Sequence, residues 1–205
     1  MKKLGFTLAE VLITLVIIGV IAAMTVPTLM NNTQGQENKT AFKKAISSMN
    51  QALTLEYALE GNTAASTNIA DIMRRRTNVI NTAATWPGTN PVTSGTVIAT
   101  ADGIIYSLPA TSGENKSCSG EPTVDSTTGQ LDADFDIYGA TSCGTGAVDV
   151  NGVKGPNTAV TNSAKPEDQF QFLIFETKVV PGTSAASVEA AVMYDNKTAT
   201  ATSGS

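Results

Sequence analysis

One acid, Glu10, stands inside the otherwise apolar run that opens the chain, MKKLGFTLAEVLITLVIIGVIAAMTVPTLMNN. From Phe6 to Val26 this run covers about 21 residues, roughly 31 Å as a helix, which is enough to cross a bilayer core. Lys2 and Lys3 precede it, and basic residues ahead of an apolar run hold that end in the cytoplasm. Whatever follows the run is therefore expected on the far side of the membrane. A carboxylate within such a run costs a few kcal/mol even on lenient insertion scales, so it usually has both a partner and a task.

Three readings of the run compete. A secretory signal peptide would have a shorter apolar core and a small-x-small cleavage site, for which Val20-Ile21-Ala22 could serve. A plain signal anchor accounts for the length and the lysines. Neither accounts for Glu10, except as a chance acid reaching back to the headgroups. The segment Gly5-Phe6-Thr7-Leu8-Ala9-Glu10, followed by an unbroken apolar helix, resembles the processing motif of type IV pilins and of the pseudopilins of type II secretion. The resemblance implies that a prepilin peptidase cuts between Gly5 and Phe6 and N-methylates Phe6. It makes Glu10 the fifth residue of the mature chain, where the family has its acid. Cleavage would leave 200 residues and remove two lysines, taking the formal charge from -5 to -7.

The new α-ammonium at Phe6 and the Glu10 carboxylate would share one low-dielectric layer. When subunits pack, the amine of one chain can meet the Glu10 of a neighbour or its own. Leaving either charge alone is costly, so pairing sets the axial register of assembly. Pro27 stands where the family commonly has a proline, and a proline inside a helix removes a hydrogen bond and tends to kink it. Gly19 is small enough for helices to approach closely. The resemblance covers about 27 of the 205 residues.

Composition narrows the remainder. The chain has no histidine, which removes the commonest general base and the commonest transition-metal ligand, so Ser/His/Asp and Cys/His hydrolases are excluded. No enzyme is expected. A net charge of -5 argues against phosphate-driven nucleic-acid binding, which needs Lys and Arg in excess. Length allows one globular domain beside an anchor. Cys118 and Cys143 both follow the anchor, and in an exported domain such a pair reads most simply as one disulfide. Two free thiols in a reducing compartment are the alternative.

The expected architecture is α+β, with one long N-terminal helix packed by its second half on a small antiparallel sheet. Residues 1–5 are the leader, 6–30 the transmembrane and assembly helix, and 31–196 a periplasmic pilin-like head that includes the second half of the helix (about 36–60). Residues 197–205 are a flexible tail. The polar residues 31–36, with Gly35, read as a weak point in the helix. Phe42, Ile46, Met49, Leu53 and Tyr57 fall on one face and predict a buried stripe ending at Gly61-Asn62. Residues 69–80 predict a short helix carrying Arg74-Arg75-Arg76. That cluster reads as a phosphate or DNA contact, or as a solvated face or a salt bridge to a neighbouring subunit; the acidic chain favours the latter. Residues 96–101 and 104–108 flank Asp102-Gly103 as a two-residue hairpin. Further strands are expected at 147–150 and 170–175, the latter central because it is apolar on both faces. Residues 188–194 could add an edge strand or a short helix.

Two segments carry oxygen ligands. Asp132, Asp134 and Asp136 alternate and predict an exposed amphipathic strand; an EF-hand would need glycine at Ile137 and an acid at Cys143. Asp149 and Asn151, followed by Gly152, suit a hard cation, though the same residues are simply turn formers. The resemblance supports calcium there, since some pseudopilins use it to order a C-terminal loop; no other cofactor is expected. The function implied is a structural subunit of a type IV pilus-like or type II secretion pseudopilus filament. Its partners would be other pilin or pseudopilin subunits, the prepilin peptidase and an inner-membrane assembly platform. The chain would wait as a single-pass inner-membrane protein, head in the periplasm, before entering a pseudopilus or an extracellular pilus. The alternatives are a minor pilin-like adhesin, a competence (DNA-uptake) pseudopilin, or an unassembled membrane-anchored binding module.

Overall fold

The computed structural model describes residues 7–92, 95–109, 118, 142–155, 157 and 167–182. A single 53-residue helix, α1 (Leu8–Glu60), carries the chain from the apolar run into the head. Gly61 stops it by turning left-handed (φ 69°), its N–H donating to the Tyr57 carbonyl at 3.0 Å. The weak point expected at 31–36 is absent: α1 passes through Pro27, Gly35 and the polar residues between them without a break. A lone interior glycine costs only about 1 kcal/mol against alanine, too little to break a helix of this length. The hydroxyls of Thr33 and Thr40 return to the carbonyls of Leu29 and Gln36, each at 3.0 Å.

The second half of α1 buries Phe42, Ala45, Ile46, Met49, Ala52 and Leu53. Tyr57 does not continue this stripe; it is 57% exposed, and Glu56 takes the inward position instead. The cause is the next element. Helix α2 (Ile69–Arg76), capped by the Asn68 side chain at 3.0 Å from Ala70 N, brings arginines to that end of α1. It is shorter than the helix expected over 69–80. Thr77 is extended (φ -129°), and the β-branched Val79 and Ile80 join the sheet as β1 (Val79–Asn81).

The sheet has six antiparallel strands in sequence order: β1, β2 (Thr96–Thr100), β3 (Ile105–Leu108), β4 (Gly144–Asp149), β5 (Gln169–Ile174) and β6 (Val179–Pro181). The chain thus has the α+β architecture expected. The β2–β3 turn has three loop residues rather than two. Thr100 N bonds Ile104 O at 3.0 Å and Gly103 closes the loop at φ 85°, a conformation that favours glycine. Strand β5 is central between β4 and β6, with Phe170, Phe172, Leu173 and Ile174 buried. At Gly146 of β4 a Cβ would run into the Phe172 ring.

The main core lies between the two helices and one face of this sheet. Phe42 stacks on Phe170 with ring centroids 4.5 Å apart. Trp86 and Val92 cover the other face over Ile105 and Ala147. Cys118 and Cys143 form a disulfide, and both are buried in the main core. Their separation of 25 residues gives about 3.5 kcal/mol in the chain-entropy account. Residues 132–136 and 188–194 and the 197–205 tail lie outside the described residues.

Asn50 fastens the edge strand to α1. Its Nδ2 donates to Val179 O at 3.0 Å, and its Oδ1 accepts from Val179 N at 2.7 Å. Asn50→Ala removes both partners of a buried backbone unit, and the expected loss is about 2 kcal/mol. Urea denaturation of the full chain in detergent measures it, and an unchanged midpoint would contradict this role for Asn50.

Candidate functional site

The N-terminal end of α1 is set by two residues. Thr7 is the N-cap, with extended backbone (φ -79°, ψ 150°), and its Oγ1 accepts from Glu10 N at 3.3 Å. Glu10 reaches back: its Oε2 accepts from Thr7 N at 2.9 Å and from the Thr7 hydroxyl at 2.8 Å. This is a complete capping box, in which cap and acid satisfy helix-terminal donors reciprocally. The Glu10 carboxylate is thus occupied by its own helix end, where the helix dipole also favours a negative charge. Thr7 was not singled out in the sequence, although the Thr-x-x-Glu spacing ahead of an apolar run is its signal. Gly5 and Phe6 lie immediately upstream, outside the described residues.

Beyond the cap, residues Leu8–Pro27 form a 20-residue span of mean hydropathy 2.5. Leu12, Ile13, Leu15, Val16, Ile17 and Ile18 are all about half exposed or more. Among the described residues, none of the head covers this span. A helix apolar on every side needs lipid or other helices around it. Pro27 lies within α1 at the end of the span.

The arginine cluster is used within the chain. Arg75 contacts Glu56 Oε1 at 2.5 Å, and Arg76 contacts Glu56 Oε2 at 2.6 Å and Glu60 at 3.2 Å. Asn62 adds a bond to Glu56 at 3.1 Å, and Arg74 pairs with Asp71 at 2.7 Å. Neither a phosphate contact nor a bridge to a neighbouring subunit is needed to balance these charges. Glu56 is fully buried. Burial by itself would raise its pKa; the hydrogen bonds from Asn62, Arg75 and Arg76 outweigh that and bring it down to about 2.

A second polar cluster joins the ends of β4 and β5. Asp149 and Asp168 are both fully buried. Asp149 accepts from Gln169 Nε2 at 2.9 Å and from Asn151 N at 3.3 Å. Asp168 Oδ2 accepts from Asn151 Nδ2 at 2.9 Å and from Asn157 N at 2.7 Å. Burial pushes the Asp149 carboxyl up to about 6, with the nearby Asp168 charge adding to the rise and the Gln169 bond opposing it. The Oδ1 atoms of Asn151 and Asn157 are buried without a hydrogen-bond partner. Among the described residues no three of His, Cys, Asp and Glu gather, so an ion here would rest on two carboxylates plus amide oxygens. These are oxygen donors, the kind that a hard cation takes. Of these residues the sequence pointed to Asp149 and Asn151. Asp168 escaped it, because only the β4–β5 pairing brings it alongside; Asn157 closes the segment from Val148 that the sequence singled out.

Residues 1–26 match a family model described as the prokaryotic N-terminal methylation motif. No curated protein and no solved structure matches the chain. The matched segment contains Gly5, Phe6, Thr7 and Glu10 and stops one residue short of Pro27.

Proposed function

We propose that this chain, whose residues 1–26 carry the signature of type IV pilins and pseudopilins, is the precursor of a filament subunit that a prepilin peptidase cuts between Gly5 and Phe6 and methylates at Phe6. The observation that carries the reading is the Thr7–Glu10 capping box at the head of an uncovered 20-residue apolar span. The box starts the helix at Leu8, and the bond to be cut precedes it in the sequence. Cleavage leaves an ammonium on Phe6, one residue from the Thr7 N–H that the Glu10 carboxylate already contacts. The acid therefore begins beside its own chain's new amine. It can exchange that contact for a neighbour's amine when subunits pack, with no stage at which a bare carboxylate stands in lipid.

Assembly on this reading proceeds through α1. Before assembly the span sits in the inner membrane as a single pass, N-terminus inside and head in the periplasm. In the filament the same apolar side chains bury against those of neighbouring subunits, so the helix keeps an apolar environment throughout. The partners are other pilin or pseudopilin subunits, the peptidase and an assembly platform. The role is structural, not enzymatic. The DNA-capture variant of the function loses its main support, because Arg74, Arg75 and Arg76 are paired inside the head.

Mass spectrometry of the mature N-terminus tests the proposal. The expected product begins at Phe6 and carries one added methyl group. An intact Met1 or a start at Ala23 would overturn it in favour of a signal anchor or a secretory signal peptide.

A further inference from the structure

We propose that the cleft between α1, the link from α2 to β1 and the β2–β3 turn binds one neutral sugar ring, held by the Tyr106 hydroxyl at its floor and by amide and hydroxyl groups on its walls. The cleft has a volume of about 360 Å³. That is at the lower end of the range of about 300–1,000 Å³ usual for small-molecule sites, so a single ring suits it. Ser48, Gln51 and Leu55 lie at i, i+3 and i+7 and give it one face of α1. Asn78, on the link from α2 to β1, also lines it, and the Asn78 carbonyl accepts from Ala101 N at 2.9 Å, joining that link to the β2–β3 turn. Lys44 pairs with Asp102 at 2.8 Å and ties the same turn to α1. The walls are thus braced by bonds of their own, which spares a ligand the cost of ordering them. Tyr106 of β3 is 1% exposed, yet its hydroxyl makes no hydrogen bond among the described residues. A buried tyrosine hydroxyl usually finds a partner, and one left without it costs the desolvation of the group. Burial and, after it, the charge of Asp102, which lines the same cleft, push the phenol well above its ordinary range. It therefore stays protonated and can both donate and accept.

The class of ligand follows from what the lining leaves unused. Two charged residues border the cleft, and both are already paired. Arg76 is held by Glu56 and Glu60, and Asp102 by Lys44 and the Thr100 hydroxyl. A charged ligand would have to displace one of these pairs, which disfavours sugar acids, amino sugars and phosphates. The groups left over are neutral: the Tyr106 and Ser48 hydroxyls, the Asn78 amide, and the Gln51 amide, whose nitrogen makes one long contact with Ser47 at 3.5 Å. Neutral groups that donate and accept side by side match the adjacent hydroxyls of a sugar. Leu55 and Ala52 offer an apolar surface to its C–H face. The site is independent of the processing reading, since it lies wholly within the head.

The test uses the full chain in a zwitterionic detergent that carries no sugar. Saturation-transfer NMR is recorded with the methyl glycosides of glucose, galactose and mannose and with N-acetylglucosamine, beside glucuronate and glucosamine as charged controls. At least one neutral probe is expected to bind with a Kd of about 1 mM, the affinity that a dozen or so non-hydrogen atoms ordinarily give. Tyr106→Phe deletes only the orphaned hydroxyl. It should leave Tm unchanged or slightly raised and weaken that probe about fivefold or more. A hydroxyl with a merely structural role would lower Tm and leave the affinity alone. Should Tyr106→Phe not fold, Gln51→Ala on the exposed rim decides, with an expected loss of about threefold or more. No transfer to any of the four neutral probes at about 20 mM would overturn the proposal. So would binding undiminished in the deciding variant, which would place the sugar elsewhere, and charged controls that bind as well as the neutral probes would overturn the assignment to a neutral ring.

Discussion

Glu10→Val is expected to leave cleavage at Gly5-Phe6 intact and to lower filament yield to less than a tenth of the parent's. The valine removes the carboxylate limb of the capping box and, on the proposed reading, the partner that a Phe6 ammonium would have, while suiting the apolar span better than glutamate does. Loss of assembly would then come from lost pairing and not from poor insertion. Glu10→Gln separates the two roles of the residue. Glutamine serves a capping box almost as well as glutamate, so the start of α1 is preserved, but it carries no charge. If the ion pair sets the register, Gln fails as Val does; if the cap alone matters, Gln restores assembly. Immunoblots of processed subunit beside sheared filament measure both steps. Parental filament yield from Glu10→Val would remove Glu10 from the assembly mechanism.

The other large effect is expected in the head. Glu56→Leu strips the buried acceptor from Arg75, Arg76 and Asn62 at once. The Arg76 side chain is only 16% exposed, so its charge would be left largely out of water without its main partner. Breaking a buried ion pair from one side typically costs about 3–5 kcal/mol, a large share of the ~5–15 kcal/mol that holds a domain folded. The pH dependence has a definite sign. Glu56 sits at about 2 in the folded head against 4.5 ordinarily, so its contribution is complete above about 4.5 and disappears as pH falls through about 2. Urea midpoints measured from pH 6 downward should show the parent losing stability across that window. Glu56→Gln, already weakened, should show a flatter acid limb. An acid limb identical in parent and variant would mean that other carboxylates carry the effect. Asp71→Asn, which breaks the half-exposed pair with Arg74, is a fitting contrast, with an expected cost under about 1 kcal/mol.

These two residues mark the boundary of what could be read in advance. Glu10 announced itself by cost: an acid in an apolar run is conspicuous on a line of text because the membrane makes it expensive. Its partner Thr7 is three residues away, so the capping box was legible in principle from spacing alone. Glu56 offered no such signal. On a helix wheel it is one charged residue beside Tyr57, and the aromatic was the natural choice for the core. Burial was reversed by α2, whose arginines approach that turn of α1 and neutralise a carboxylate there. The polar residues 31–36 misled in the opposite sense. Their composition suggested a break, but a helix ends where a cap, a proline or a competing contact ends it, and none operates before Gly61.

By its sequence alone the chain determined the properties that depend on neighbours along the backbone. These are the apolar span long enough to cross a membrane, the methylation motif at its head, the turn glycine at 103 and the strands flanking it. Each is a matter of local period, local cost or local dihedral, which one stretch of residues can express without reference to the rest. Only the tertiary structure decided which charges are buried and with whom. Asp149 meets Asp168, and Glu56 meets Arg75 and Arg76, because the β4–β5 ladder and the α1–α2 contact close over gaps of about twenty residues. The burial that gives those pairs their energy exists only once that closure has excluded water.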